Sequence, residues 1–240
     1  MLLLIIYTFL KKYNNQSWIR KNLKICKFLK VNIHNLLASL FIILMLLMPI
    51  LANAQNLKLN YKIIRNGDDI GWMRLEKNIS GNNSELLLVS EIKTRIVFKI
   101  TVFAKETSTF ENGKLVYSSQ TRKTNGSIKL EKQTMLMENE YEVFENGVKE
   151  KLPFSTINSN LLCLYFQEPI NLNFFYCDIQ QCFVKVVKTN DGGYNVKFPN
   201  GNANCYYYKY GVCTKIKIMH SLYSAEIILN PQTNSYANNK

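Results

Sequence analysis

Nucleophilic catalysis finds little support among the residues of this chain. Serine and cysteine nucleophiles are usually activated by a neighbouring base, most often histidine. The chain has two histidines, and only His220 lies beyond the apolar N-terminal segment. His220 follows Ile216 and Ile218 at alternate positions, which predicts an ordinary packed or edge histidine of a strand. The G-x-S-x-G and H-E-x-x-H motifs are absent, so we expect a protein that is not an enzyme.

Carboxylates could provide acid and base chemistry without histidine. Asp68 and Asp69 are adjacent, but they follow Asn66-Gly67 and are expected to lie at a solvated hairpin turn. Three further acids are also expected to face solvent, namely Glu138, Glu140 and Glu142. The two carboxylates of a glycosidase can be distant in a chain. A hydrolase with an unrecognised carboxylate site is therefore kept as an alternative.

Cysteine and metal chemistry are equally limited. The cysteines that follow residue 54 are Cys163, Cys177, Cys182, Cys205 and Cys213. Their odd number leaves at least one thiol unpaired. Cys177 with Cys182, and Cys205 with Cys213, are close in sequence, but spacing alone does not establish a disulfide. None of them forms a C-x-x-C pair, and we expect neither a metal nor a cofactor.

The N-terminal segment predicts export. Lysines precede an apolar run at residues 36–51, and the small residues Ala52 and Ala54 precede Gln55. This is the pattern of a secretory signal peptide, here with an unusually long lead-in, cleaved before Gln55. The run is shorter than the roughly 20 residues that cross a membrane, although an uncleaved inner-membrane anchor is the alternative. We expect residues 1–54 to be an extension and signal helix, and residues 55–240 to be one β-rich domain, periplasmic or secreted.

The positive charge of the chain does not indicate nucleic-acid binding. The formal net charge is +13, but residues 1–54 contain seven lysines and arginines and no acid. In the remainder acids and bases alternate closely, as in Glu91-Ile92-Lys93, so no continuous basic surface is expected. The expected partners are a lipid or other apolar ligand, or an envelope protein. Membrane contact is expected only through an uncleaved signal.

Alternation of apolar and polar residues predicts the fold. Between residues 91 and 102 the even positions are mostly apolar, which predicts one long half-buried strand. The same alternation occurs at residues 57–63 and 215–218. Glycines typical of tight turns separate such segments: Gly67, Gly81, Gly113, Gly126, Gly147, Gly192, Gly201 and Gly211. The chain is therefore expected to be mainly β, as a curved antiparallel meander sheet or half-barrel.

One segment has helical spacing instead. After Pro153, Ser155 or Thr156 could cap a short helix that ends before Glu168-Pro169. The apolar residues at helical spacing are Ile157, Leu161, Leu164 and Tyr165. The sequence thus predicts a sheet accompanied by one short helix.

Several turn and aromatic motifs resemble those of a known family. They are Ile70-Gly71, Phe110-x-Asn112-Gly113, Asn125-Gly126, Tyr165-Phe166-x-Glu168-Pro169, Phe198-Pro199-Asn200-Gly201 and Asn204-x-Tyr206-x-Tyr208. Over residues 57–229 the chain resembles an uncharacterised family of exported bacterial β-proteins, a domain of unknown function. That family is distantly similar to the lipoprotein-carrier half-barrels of the periplasm. The resemblance implies a curved antiparallel sheet around a helix and an apolar cavity, and it implies no catalytic residues.

The predicted function is that of an exported, non-enzymatic envelope protein that binds an apolar or amphipathic ligand in the concave face of its sheet. The candidate ligand-binding residues are Ile96, Phe98, Ile100, Val102, Tyr206, Tyr208 and Glu168. A tyrosine can line a ligand groove with its ring, but cross-strand packing in a filled core is the simpler explanation of Tyr206 and Tyr208. A structural or protein-interaction module of the cell envelope is the alternative function.

Overall fold

The computed structural model describes residues 55–95, 98–221 and 223–231. The signal peptide, its cleavage residues Ala52 and Ala54, and the candidate ligand residue Ile96 lie outside these ranges and stay predictions. Within the described ranges, no helix is both long enough and apolar enough to cross a membrane.

The described residues form 14 β-strands in one sheet. The first eight are β1 (Gln55–Arg65), β2 (Asp68–Ser80), β3 (Asn83–Arg95), β4 (Lys99–Glu111), β5 (Lys114–Thr124), β6 (Ser127–Met137), β7 (Glu140–Glu145) and β8 (Val148–Leu152). The others are β9 (Phe174–Cys177), β10 (Cys182–Lys188), β11 (Tyr194–Lys197), β12 (Ala203–Lys209), β13 (Val212–Met219) and β14 (Ser224–Leu229).

The sheet is an open antiparallel meander with β8 at one edge and β9 at the other. Strand β1 lies in the interior of the sheet, and β2 to β8 follow it in chain order toward the first edge. The chain then passes to the second edge at β9 and returns strand by strand until β14 pairs with β1. The prediction of a mainly β fold built as an antiparallel meander is confirmed.

Hairpins turn at Asn-Gly pairs, as the sequence predicts. Both residues of each pair have positive φ, for example 53° at Asn66 and 87° at Gly67. This is the type I′ conformation, whose twist matches that of the paired strands, and asparagine and glycine tolerate it best. The same conformation occurs at Asn112-Gly113, Asn125-Gly126 and Asn146-Gly147. Local chemistry alone therefore determines these reversals.

The prediction of one long strand between residues 91 and 102 is wrong. Strand β3 ends at Arg95, β4 begins at Lys99, and the two pair as a hairpin with Ile92 opposite Val102. The residue numbers of two opposed residues in this hairpin always differ by an even number. Opposed side chains lie on the same face of a sheet, so the even-numbered side chains of β3 and β4 share one face. The alternation therefore continues through the reversal, where no glycine or proline marks a turn.

The sheet curves, and its register shifts show where strands bend. Shifts typical of β-bulges occur at Ile63/Ile64, Thr109/Phe110, Arg122/Lys123 and Tyr207/Tyr208. A bulge adds a residue to one strand and increases its local twist and bend. The alternating apolar side chains on the inside of the curve form the core, with Leu59, Leu75, Leu115, Tyr206 and Ile216 each no more than 2% exposed.

Residues 153–173 connect the two edges of the sheet. They contain a 3-10 helix, Leu161–Tyr165, whose Leu162 and Leu164 are buried. The helix contacts β3 on one side of β1, and β9 and β13 on the other side. The connecting segment therefore lies inside the curve, where it covers the apolar face of the sheet.

The helix is shorter than the sequence predicts. It follows Asn160 rather than Ser155 or Thr156, and no side chain caps it. The preceding backbone bonds to strands instead, because Leu115 N donates to Ile157 O at 2.8 Å. A segment whose carbonyls are already bonded to the sheet does not continue a helix toward its N-terminus.

The expectation that Glu142 faces solvent is also wrong. Glu142 is 7% exposed on β7, whereas Glu138 and Glu140 are exposed. Its Oε2 lies 2.7 Å from Nζ of Lys149 on the adjacent strand β8. A buried carboxylate needs such a partner, and the partner is supplied by strand pairing that composition does not reveal.

Candidate functional site

The concave face of the sheet encloses a cavity of about 740 Å³. Strands β1 to β5 form one wall, and β12 to β14 form the other. The 3-10 helix and the loop between β9 and β10 also line it. The strand register explains the wall, because opposed residues lie on the same face: Ser90 is opposite Ala104, and Ala104 is opposite Arg122.

Most of the cavity wall is apolar. Its apolar side chains include Ile63, Met73, Leu88, Ile92, Val102, Ile218 and Ile227. They occupy alternate positions of strands β1 to β4, β13 and β14, so one side of each strand faces the cavity. Such a wall favours the apolar part of a ligand over water.

Polar side chains of β4 and β5 form one part of the wall, which we call the polar end: Glu106, Gln120 and Arg122. Glu106 lies directly opposite Gln120. Gln120 is buried, and its Oε1 has no hydrogen-bond partner among the described residues. A buried amide oxygen without a partner carries a desolvation cost that a ligand donor would remove.

Glu106 holds its proton unusually tightly. Burial raises the pKa of Glu106 to about 7, although the positive charge of Arg122 acts in the opposite direction and the negative charge of Asp178 adds to the rise. Near neutral pH this carboxyl is therefore present in both its protonated and its ionised form. The polar end consequently offers an acid, an amide and a guanidinium group side by side, while other polar residues, such as Thr94 and Asn204, are spread over the remaining wall.

A buried hydrogen-bond network holds Asp178 beside the cavity. Ser118 Oγ donates to Asp178 Oδ1 at 2.5 Å, and Asn160 Nδ2 donates to Oδ2 at 3.0 Å. The same Asn160 Nδ2 lies 2.7 Å from Ser108 Oγ. Burial raises the pKa of Asp178 to about 6, while these hydrogen bonds act to lower it. The network joins the connecting segment and the β9–β10 loop to strands β4 and β5.

Lys132 adds a second attachment for the same loop. Its Nζ donates to Ile179 O at 2.8 Å and lies 2.9 Å from Glu145 Oε2. Lys132 is 6% exposed, and an ammonium group at that depth requires partners of this kind. Residues 178–180 line the cavity. They are held by hydrogen bonds to the Asp178 side chain and to the Ile179 carbonyl oxygen.

His220 also lines the cavity, and no nucleophile is paired with it in the described hydrogen bonds. Its ring lies 4.9 Å from that of Tyr223. Burial, and then the charge of Arg122, lower the pKa of His220, so the ring is largely neutral at pH 7. A Ser–His or Cys–His arrangement is not present among the described residues.

The structure brings some of the predicted ligand residues together at the cavity. Ile100, Val102 and Tyr206 line it. Tyr208 is half-buried and donates from its hydroxyl to Leu164 O at 2.7 Å, so it holds the 3-10 helix. Glu168 is not in the lining, and its Oε1 accepts from Tyr194 at 2.8 Å.

Phe98 lies apart from this group. It is 77% exposed and borders a second, more open pocket beside Lys93, Arg95 and Lys99 at the tip of the β3–β4 hairpin. The long-strand prediction placed Phe98 on the same face and strand as Val102, but the reversal between β3 and β4 moves it to the hairpin tip.

Sequence reasoning missed the polar residues of the site: Glu106, Gln120, Arg122, Asn160 and Asp178. None of them belongs to a motif with a chemical signature. They meet because two strands, a connecting segment and a distant loop converge. Among the described residues, no group of three or more histidines, cysteines or acids could hold a metal ion.

The fold and the cavity define an all-β protein with an open, curved antiparallel sheet around an internal cavity with mainly apolar walls. Residues 61–230 match the family described as Domain of unknown function (DUF6134), and the chain belongs to that family. No curated protein matches the chain. The family assignment therefore gives an evolutionary class without an activity, and function must be argued from the site.

Proposed function

We propose that this protein binds an apolar or amphipathic ligand, without catalysis, in the concave face of its sheet. The observation that carries the proposal is the cavity of about 740 Å³ with mainly apolar walls that contain a cluster of polar groups at the polar end. Pockets for small molecules generally enclose about 300 to 1,000 Å³ and combine apolar walls with a few polar groups. The cavity has the size and the chemistry for one small amphipathic molecule.

The wall chemistry orients such a ligand. Its apolar part lies against Ile63, Ile92 and Ile218, and its polar part lies at the polar end. There, Gln120 Oε1 accepts a hydrogen bond that no described protein group supplies. A ligand with a hydroxyl or another donor at its polar end satisfies this oxygen and is preferred to a purely apolar one.

The protein acts outside the cytoplasm in this proposal, in the periplasm or after secretion. The support is the apolar run at residues 36–51 followed by Ala52 and Ala54. A curved antiparallel sheet around a short helix and an apolar cavity supports the distant likeness to periplasmic lipoprotein-carrier half-barrels. That likeness concerns architecture, so the identity of the ligand rests on binding measurements.

Cavity filling tests the proposal. N-Phenyl-1-naphthylamine, an apolar fluorescent dye, should bind the full-length protein saturably. Ala104→Trp places an indole in the cavity wall and should weaken binding at least about tenfold, or about 1.4 kcal/mol. Lys105→Trp is the matched control, because Lys105 is the exposed neighbour on the opposite face of β4. Circular dichroism should show that both variants keep their strands.

Two outcomes would count against the proposal: no saturable dye binding, or equal binding by the Ala104→Trp and Lys105→Trp variants. Native mass spectrometry of protein purified from its own envelope is a second test of ligand binding. A co-purifying lipid supports ligand binding. A bound protein in its place supports the alternative of an interaction module.

A carboxylate hydrolase is the second candidate function, and a specific observation favours it. Glu106 and Asp178 line the same cavity and have pKa values of about 7 and about 6. A general acid works best with a pKa near the working pH. Both oxygens of Asp178 already accept hydrogen bonds, which leaves Glu106 as the reactive group. Turnover of p-nitrophenyl esters or glycosides that Glu106→Gln abolishes would establish this activity.

A further inference from the structure

Two cysteines face each other at the end of the β9–β10 hairpin. Strands β9 and β10 are antiparallel, and Cys177 lies directly opposite Cys182. Opposed residues in such a pair have Cα atoms about 4.5 to 5.5 Å apart. Disulfides form at Cα separations of about 4.4 to 6.8 Å. Both thiols are unbridged here, but the backbone already holds them at the separation that a disulfide needs.

We propose that Cys177 and Cys182 form a cross-strand disulfide under oxidising conditions. The bond would close the loop of residues 178–181, which contributes Asp178, Ile179 and Gln180 to the cavity wall. It would tie the two ends of this loop together covalently, in addition to the hydrogen bonds from Ser118 and Lys132. The disulfide is thus a modification site that fixes part of the cavity wall.

The strand register also excludes the other pair of cysteines that are close in sequence. Cys205 lies opposite Lys217, whereas Cys213 lies opposite Tyr208. Lys217 and Cys213 are four residues apart on β13, a distance of about 13 Å at the rise of a strand. A disulfide does not span more than about 7 Å between Cα atoms. Cys205 and Cys213 are therefore too far apart to form a disulfide with each other.

The reaction proceeds by thiol–disulfide exchange with a disulfide oxidoreductase as the oxidant. Cys182 is the more accessible thiol. Its thiolate attacks the oxidoreductase disulfide, forms a mixed disulfide and releases one thiolate of that enzyme. The Cys177 thiolate then attacks the Cys182 sulfur and releases the second. Two thiols of this protein lose two protons and two electrons, and the oxidoreductase disulfide becomes a dithiol.

Burial makes the uncatalysed reaction slow. It raises the pKa of Cys177 to about 11 and also raises the pKa of Cys182. Since the thiolate is the reactive form, little of either thiol reacts directly near neutral pH. Formation is expected during folding or with a catalyst. A protein that is exported, as proposed above, folds in an oxidising compartment, where disulfides form during folding and with the help of catalysts.

Alkylation mapping tests the disulfide. Full-length protein is unfolded, refolded in buffers of increasing oxidised glutathione, and alkylated with iodoacetamide in denaturant. Chymotryptic cleavage after Tyr176 and Phe183 releases both cysteines in one peptide. In oxidising buffer this peptide should carry no alkyl group and should be lighter than the dithiol peptide by two hydrogens. Cys205 and Cys213 serve as internal controls and should stay alkylated.

A cysteine variant identifies the partner. In Cys177→Ser, Cys182 should be alkylated or should carry glutathione as a mixed disulfide, because no second thiolate remains to displace the glutathione. Protection of Cys182 in this variant without bound glutathione would mean another protein thiol as its partner and would overturn the proposal. Alkylation of both Cys177 and Cys182 in the wild type at every buffer composition would overturn it as well. Neither result depends on ligand binding, so failure here is distinct from failure of the proposed function.

Discussion

Replacement of Glu106 by glutamine should remove part of the pH dependence of stability. Burial raises the pKa of Glu106 from 4.5 to about 7 in the folded protein. A carboxyl with a raised pKa binds its proton more tightly when folded than when unfolded. Its contribution to stability is therefore complete below the unfolded pKa and is lost as pH rises through the folded pKa. The free energy of unfolding should fall as pH rises from about 4.5 to about 7.

The size of this loss follows from the two pKa values. A tenfold change in proton affinity corresponds to about 1.4 kcal/mol, so a rise from 4.5 to about 7 gives about 3 kcal/mol at most. Glu106 is half-buried and faces the cavity, and solvent screening reduces the effect. We expect the wild type to lose about 2 kcal/mol more than Glu106→Gln between about pH 5 and pH 8.

Urea unfolding of the two proteins at both pH values measures this difference. Contributions from distant acids cancel in the comparison when the variants share one fold, whereas Asp178, whose charge acts on Glu106, contributes to the difference. Glu111→Gln is the matched control, because Glu111 is an exposed glutamate at the end of the same strand. If wild type and Glu106→Gln change in parallel with pH, the assignment of Glu106 as a buried, proton-retaining acid is wrong.

Two further predictions concern packing and the buried network. In Gly71→Ala the added Cβ would lie 2.2 Å from the carbonyl oxygen of Glu91 on β3; the strands must separate, and denaturant unfolding should show a loss of about 1 to 3 kcal/mol. Asn160→Ala removes the hydrogen bonds to Ser108 and Asp178 and should cost about 2 to 3 kcal/mol in the same assay. A loss of less than about 0.5 kcal/mol in either variant, the scale of a surface substitution, would contradict these contacts.

Local sequence signals predicted those parts of the fold that depend on local chemistry. The Asn-Gly turns follow from the ability of asparagine and glycine to adopt positive φ. The alternation at residues 57–63 became strand β1, with Leu59, Tyr61 and Ile63 buried. Alternation failed to predict the strands at residues 91–102. Even-numbered side chains face the same side before and after this hairpin, so the alternation continues through the turn.

The candidate site was predicted only in part. Ile100, Val102 and Tyr206 share strand faces that the alternation identifies, and they line the cavity. The polar residues could not be predicted, because Glu106 and Asp178 are 72 positions apart in the chain. Their proximity depends on the connecting segment that crosses the curved sheet, which no local pattern describes.

By itself, the sequence determined the class of the protein: alternating residues specify strands, and Asn-Gly pairs specify where several of them reverse. Only the tertiary structure decided that β14 pairs with β1, that the connecting segment leaves a cavity, and that Cys177 lies opposite Cys182 rather than another thiol. The physical reason is the range of the interactions. Turn and strand preferences act over a few residues, whereas strand order, enclosed volume and the pKa of a buried acid depend on residues that meet only after the whole sheet has formed.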